Sequence, residues 1–292
     1  MEKNLLNLMK LTVMQENLSY QVKLIYTYKK YKMSENILEK IIIKKKLELE
    51  IIKKESPAEE FHKIIENNNK KNHYVNFKEK IQQNIKNDKI SIIAEIKKAS
   101  PSAGVIIDNY DPIEIAKIYN KNKATCLSVL TEQNYFKGNA SDLAKIKLAK
   151  INLPILCKDF FIDKWQVSFA KANGADAILI ILAGVSDVLA NELYEEALKF
   201  NMSVIVEVHT VEEAKKALNF KEALIGINNR NLKTLQTDIN TTYDIHNVLI
   251  NHQGPLISES GIKTKEELLN LKSKTSIKTF LIGESLLKNL SE

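Results

Sequence analysis

The stretch Ile92-Ile93-Ala94-Glu95-Ile96-Lys97-Lys98-Ala99-Ser100-Pro101-Ser102-Ala103-Gly104 decides how this chain is read. Its Ile-rich beginning predicts a strand. Side chains of a strand alternate between faces, so Glu95 and Lys97 point the same way from its C-terminal end. A carboxylate and an ammonium on a buried face are costly to desolvate unless they are paired and serve something. The Ser100-Pro101-Ser102 turn, with Gly104 beyond it, brings hydroxyls and flexible backbone to the point where strand gives way to loop. In parallel α/β folds, active sites are built at that edge.

Working outward, short β-branched runs alternate with amphipathic helical patterns from residue 90 onward, a βα rhythm that predicts a parallel sheet. Strands are expected at 91–97, 124–131, 154–159, 177–182, 203–208, 223–228, 255–259 and 279–283. Asp111-Pro112-x-Glu114, Asp163, Thr210-x-x-Glu213 and Thr264-x-x-Glu267 carry helix-start chemistry between them. Eight such units without a long interruption predict an α/β fold of the TIM (β/α)8 barrel type. Helices precede the first strand: 35–54 is Ile/Leu/Lys-periodic, Ser56-Pro57-Ala58-Glu59 reads as a capping box with Pro at N1, and Asn76 caps 77–85. A single domain over 33–292 is expected, with its N-terminal helices inside 33–88.

Bulk properties narrow the function. No run of roughly 18 apolar residues crosses a membrane, and the first ten residues lack the apolar block of a signal peptide, so a cytoplasmic protein is expected. Cys126 and Cys157 lie in apolar runs without metal or disulfide spacing and read as buried free thiols. Net charge is +7, of which residues 1–32 hold +4, from six Lys and two Glu. The nearly balanced remainder argues against a nucleic-acid partner and favours a phosphorylated small molecule. Residues 1–32 interleave Tyr26, Tyr28 and Tyr31 with lysines, a pattern able to stack on nucleic acid. An over-long start, with Met33 the initiator, or a solvated tail explains the segment more simply.

The strand ends carry the chemistry. Lys158 closes Pro154-Ile155-Leu156-Cys157-Lys158 as a lone ammonium, and partial burial is expected to lower its pKa and ease proton donation. A snorkelling lysine is the bland alternative. Glu207 closes Ser203-Val204-Ile205-Val206-Glu207. His209, two residues on and without a second ligand at metal spacing, reads as a rim hydrogen-bonder, and no metal is expected. Asn228 and Arg230 end the sixth strand, and Arg230 is the only arginine among 43 basic residues, a position where lysine cannot copy a planar bidentate group. Ser258-Glu259-Ser260-Gly261 and Ile282-Gly283-Glu284-Ser285 end the last two strands, where such barrels commonly place phosphate.

Glu95-x-Lys97-x-x-Ser100-Pro101-Ser102, Lys158-Asp159-Phe160, Asn228-x-Arg230-x-Leu232 and the two glycine turns follow the order of a known family. From about Met33 to the C-terminus the chain resembles the indole-3-glycerol-phosphate synthases of tryptophan biosynthesis. The resemblance implies a carbon-carbon lyase that needs no cofactor. By the same resemblance Lys158 is the general acid of ring closure, and Lys97 with Glu207 assists dehydration while Glu95 orients Lys97. Asn228 positions sugar hydroxyls or the carboxylate, and Arg230 organises the rim. Ser260, Gly261, Gly283 and Glu284 bind phosphate with help from Ser100, Glu284 acting through its backbone amide. Pro101, Phe136, Phe160, Leu232 and Leu235 wall the anthranilate ring. The family's N-terminal helices help cover the barrel mouth.

Further expectations remain open at the level of sequence. One rival is another phosphosugar lyase or aldolase on the same barrel, with Lys158 as a Schiff base. Another is a binding protein built on a barrel without turnover. Ser285 to Glu292 offers about two turns where the family usually has a longer last helix, which predicts weakened barrel closure. A monomer is expected, with other tryptophan-pathway enzymes as candidate partners.

Overall fold

A computed structural model describes residues 36–71, 76–283 and 285. Residues 1–35, 72–75, Glu284 and 286–292 lie outside the described residues, and with them the leader and the two turns expected after Ser285. Eight strands run parallel: β1 (Ser91–Ile96), β4 (Cys126–Leu130), β5 (Ile155–Lys158), β6 (Ala177–Ile181), β7 (Ser203–Val208), β8 (Leu224–Asn228), β9 (Leu256–Glu259) and β10 (Thr279–Ile282). They form one closed barrel in chain order, sealed where β1 pairs with both β4 and β10. Every expected strand is present within two residues at either end. Closure is intact at β10, which aligns Thr279 to Ile282 with Ser91 to Ala94, so the expected weakening is not seen there. The extra pair β2 (Ala99–Ser100) and β3 (Gly104–Val105) is antiparallel and turns through Pro101-Ser102-Ala103, so the turn read after β1 is a small hairpin.

Helices between the strands start where the caps predict. The helix α4 (Pro112–Lys121) is capped by Asp111, α6 (Lys164–Ala172) by an Asp163–Gln166 capping box, α8 (Val211–Ala217) by Thr210 and α10 (Lys265–Thr275) by a Thr264–Glu267 box. With α5 (Ser141–Leu148), α7 (Asp187–Lys199) and α9 (Asn240–Leu249) they bury one apolar stripe against the outside of the barrel. A second cluster fills the interior: Ile93, Cys126, Leu156, Leu179, Ile205, Leu224, Ile257 and Leu281 project inward from alternate positions. Both cysteines are buried and free, Cys126 inside the barrel and Cys157 on its outer face.

The N-terminal helices divide between the two ends. Of the three, α1 (Ile37–Glu55), capped by Asn36, reaches the mouth, where Ile37, Leu38 and Ile41 border the central cavity. By contrast α3 (Phe77–Lys86) closes the opposite end. Its Phe77 and Ile81 are fully buried in the interior cluster, and Asn84 Nδ2 donates to Ser91 Oγ and Thr125 Oγ1 at 3.0 and 3.1 Å. Covering the mouth is therefore the work of α1, not of the whole extension. Ser56 ends α1 rather than opening the next helix, its N–H donating to Ile52 O. Between them α2 (Ala58–Lys71) packs on α6, where Trp165 stacks on Phe169 at 4.8 Å, meets Phe61 edge-on and donates its indole N–H to Ser56 O.

Candidate active site

The ends of four strands bring five polar side chains to one cavity at the C-terminal face. Glu95 and Lys97 from β1, Lys158 from β5, Glu207 from β7 and Asn228 from β8 all border it. Lys97 Nζ lies 2.5 Å from Glu95 Oε1, the pairing expected from their i, i+2 spacing. Glu95 itself is buried; burial raises its pKa, but Lys97, Lys158 and Arg230 outweigh that and hold it ionised.

Lys158 lies among carboxylates. Its Nζ is 2.7 Å from Glu259 Oε2 and 3.6 Å from Glu207 Oε2. Burial pulls its pKa down, but Glu259, Glu207 and Glu95 reverse that, and the net shift is upward. The expected lowering is thus corrected: a buried lysine surrounded by anions is held charged. The anions split. Burial and the Glu207 charge, only partly countered by Lys158, push the Glu259 carboxyl up to about 7. Glu207, equally buried, is held down near 2 by Lys158, His209 and Asn228, whose Nδ2 donates to Glu207 Oε1 at 3.1 Å. Among the described residues Glu207 Oε2 and Glu259 Oε1 have no hydrogen-bond partner, and buried polar atoms are seldom left so.

Two glycines make room for this cluster. A Cβ on Gly226 would collide with the Glu259 carboxylate and Ile205, and one on Gly283 with the Glu95 carboxylate. The glycine read as a phosphate turn at 283 therefore also gives space to the Glu95–Lys97 pair.

The rim is polar on one side. Arg230 donates to Ser102 Oγ at 2.6 Å through Nη1, and its backbone N–H reaches Asn228 Oδ1. Ser100 Oγ accepts from Ala103 N at 3.1 Å, and Ser100, Ser260 and Gly283 all border the cavity. Gly261, next to Ser260, lies against Thr237. The other wall is apolar: Pro101, Phe136, Phe160, Leu232 and Leu235 all border the cavity, with Phe136 and Phe160 centroids 6.3 Å apart. Leu235 adopts φ +61°, a left-handed conformation sustained by the loop in which Asn231 N donates to Gln236 O. Among the described residues no group of His, Cys, Asp and Glu suits a metal ion, and no helix is long and apolar enough to cross a membrane.

A family model described as indole-3-glycerol phosphate synthase matches residues 38–292. The chain belongs to the indole-3-glycerol phosphate synthase family. It is 44% identical over 200 residues to the indole-3-glycerol phosphate synthase of Oceanobacillus iheyensis, covering 68% of this chain and 76% of that protein. It is 41% identical over 284 residues to that of Prochlorococcus marinus, covering 95% and 92%. Among solved structures, KGPDC of Streptococcus mutans is 10% identical with a TM-score of 0.51, covering 68% of this chain and 90% of that one. A chain of the tryptophan synthase α2β2 complex of Pyrococcus furiosus is 12% identical with a TM-score of 0.52, covering 69% and 90%. At such identities the likeness is one of fold.

Sequence reasoning missed two parts of this family site. Glu259 reads in the sequence only as part of a glycine turn, although it lies at the C-terminal end of β9 as Glu207 lies near that of β7, and both face the same interior. Asp159 stands there only as the middle of a motif. It points away from Lys158, accepts from Thr131 Oγ1 at 2.8 Å and pairs with Lys45 of α1 at 2.9 Å, tying the lid helix to the strand that carries Lys158.

Proposed function

We propose that this chain converts 1-(2-carboxyphenylamino)-1-deoxyribulose 5-phosphate into indole-3-glycerol phosphate, carbon dioxide and water, a cytoplasmic step of tryptophan biosynthesis. The observation that carries the reading is Lys158, charged and held between Glu259 and Glu207 at the floor of a cavity with one apolar aromatic wall. The anilino ring lies against Pro101, Phe136, Phe160, Leu232 and Leu235. The phosphate lies at Ser100, Ser260, Gly261, Gly283 and the Glu284 amide, and Arg230 orders that rim.

The ring carbon bearing the carboxylate attacks the ketone carbon, and the carbonyl pair moves to oxygen, which takes a proton from Lys158 Nζ. Carbon dioxide leaves, its bonding pair restoring the benzene ring. Lys97, oriented by Glu95, then protonates the departing hydroxyl, and Glu207 takes the proton from the neighbouring carbon to complete the indole. Asn228 holds Glu207 and the sugar hydroxyls in register. Buried carboxylate oxygens that no described residue hydrogen-bonds fit sites that receive protons or hydroxyls from substrate.

A Schiff-base lyase would need Lys158 neutral, and three surrounding carboxylates oppose that. The test is to incubate the purified protein with the carboxyphenylamino-deoxyribulose phosphate and follow indole fluorescence with carbon dioxide release. Equimolar formation of both products is expected. A borohydride-trapped adduct on Lys158 instead would overturn the acid role.

A further inference from the structure

Asn229 stands in the chain between Asn228 and Arg230, yet the reaction written above does not use it. Asn228 borders the cavity, so strand alternation turns Asn229 to the outside of the barrel, where it is buried between the ends of β8 and β9 and the start of α9. There its side-chain amide uses both donors and both acceptor positions. Oδ1 accepts from Thr242 N at 3.0 Å and from Thr242 Oγ1 at 2.8 Å. Nδ2 donates to Ser258 Oγ at 3.2 Å and to Ser260 O at 3.0 Å. Thr242 and Ser258, both fully buried, lie 2.8 Å apart through their hydroxyls. Because the Thr242 hydroxyl donates to Asn229, the Ser258 hydroxyl is the donor in that contact, and each proton of the ring has one place. A buried network so fully satisfied is rigid. The backbone joins it, Asn229 N–H donating to Glu259 O and Asp238 N–H to Asn229 O, each at 2.9 Å.

The bond to Ser260 O links this network to the rim. Ser260 and Gly261 both have positive φ, +65° and +81°. That conformation is uncommon for serine and persists where the surroundings hold it. In a planar trans peptide the C=O and the following N–H point in opposite directions. With Ser260 O drawn outward to Asn229, the Gly261 N–H points away from Asn229 and the outer layer. Among the described residues no acceptor takes that N–H.

We infer that Asn229 is a positioning residue for the substrate phosphate, acting through the Ser260–Gly261 turn. By holding the Ser260 carbonyl outside the barrel, it sets the Ser260 hydroxyl and the Gly261 N–H in place before substrate arrives. The cost of ordering two left-handed residues is then met in folding and not in binding. The effect is specific to the phosphate, because the anilino ring lies against the apolar wall and touches no part of this network.

The inference rests on the proposed placement of the phosphate, and its test separates the two. The probes are two inert analogues of the substrate with the ketone reduced to an alcohol, one carrying the 5-phosphate and one lacking it. Both are titrated by calorimetry into full-length wild type, Asn229→Leu and Thr242→Val, neutral changes of similar size that place no new charge near the phosphate. Asn229→Leu should bind the phosphorylated analogue about tenfold more weakly, the scale of one buried hydrogen bond left unmade, and the unphosphorylated one as wild type does. Thr242→Val, which removes one of the bonds to Asn229 Oδ1, should show a smaller loss with the same selectivity. Equal weakening of both analogues, or wild-type affinity for the phosphorylated one, in a variant with an intact circular dichroism spectrum overturns the inference. If Asn229→Leu does not fold, Thr242→Val decides by the same criterion. A wild type that binds the two analogues equally removes the phosphate placement itself, and the role of Asn229 with it.

Discussion

Lys158 Nζ lies within 4 Å of two buried carboxylates, and its position decides what each can do. Replacing Lys158 with Met removes the proposed proton donor and leaves Glu207 and Glu259 facing each other uncompensated. Turnover should disappear while substrate still binds, as read by fluorescence quenching in the variant. Gly226→Ala addresses the same cluster without touching a charge. The new methyl displaces Glu259, and kcat should fall by about a hundredfold with KM nearly unchanged, the usual size for misplacing a group by an ångström. A kcat within twofold of wild type would show that Glu259 is not needed where it sits. Most of these residues were legible because strand alternation places Glu95, Lys97, Lys158 and Glu207 on the inner face. Glu259 follows the same rule, but its neighbours Ser260 and Gly261 read more strongly as a turn. The charge state of Lys158 was not legible, because it depends on three carboxylates brought together from β1, β7 and β9.

At the scale of elements, the N-terminal helices do two different jobs through two different contacts. Lys45 of α1, 8% exposed, pairs with Asp159, the neighbour of Lys158 in the chain, and breaking a buried pair by removing one partner costs about 3–5 kcal/mol. Lys45→Met should loosen α1 over the mouth, raising KM several-fold and lowering the melting temperature. Phe77 of α3 is wholly buried at the far end. Phe77→Ala should destabilise the fold by about 3–5 kcal/mol in chemical denaturation, yet leave KM unchanged because the plug is remote from the cavity. An altered KM in the Phe77 variant would show that the two ends are coupled. Asn76, Asp111, Asp163, Thr210 and Thr264 announced the helix starts correctly, since capping is local chemistry. Which end of the barrel each N-terminal helix covers was not legible, because an amphipathic stripe says that a face is buried and not against what.

For the molecule as a whole, stability should fall as pH rises from about 5 to 9. Glu259 has a folded pKa near 7, above its unfolded value, so its folded form binds more protons and loses that advantage as pH climbs through 7. His209, raised to about 9, contributes stability that is complete below its unfolded pKa of about 6.5 and is lost as pH rises through 9. Melting temperatures across this range should slope downward, and His209→Gln should flatten the limb above pH 6.5. An unchanged slope in that variant would place the titration elsewhere. The barrel itself was legible as eight βα repeats, because a parallel strand needs a crossover and four of the crossover helices announce themselves with Asp111, Asp163, Thr210 and Thr264 at their starts. Its closure was read from the count of eight uninterrupted units, and the pairing of β1 with β10, segments nearly the whole domain apart, bears it out. One comparison decides whether the barrel and its buried lysine do this chemistry: wild type against Lys158→Met given the carboxyphenylamino-deoxyribulose phosphate, with indole fluorescence followed in both. Indole formation by wild type and none by a folded, substrate-binding variant is the predicted result; no indole from a folded wild type, or equal rates in the two, would contradict it.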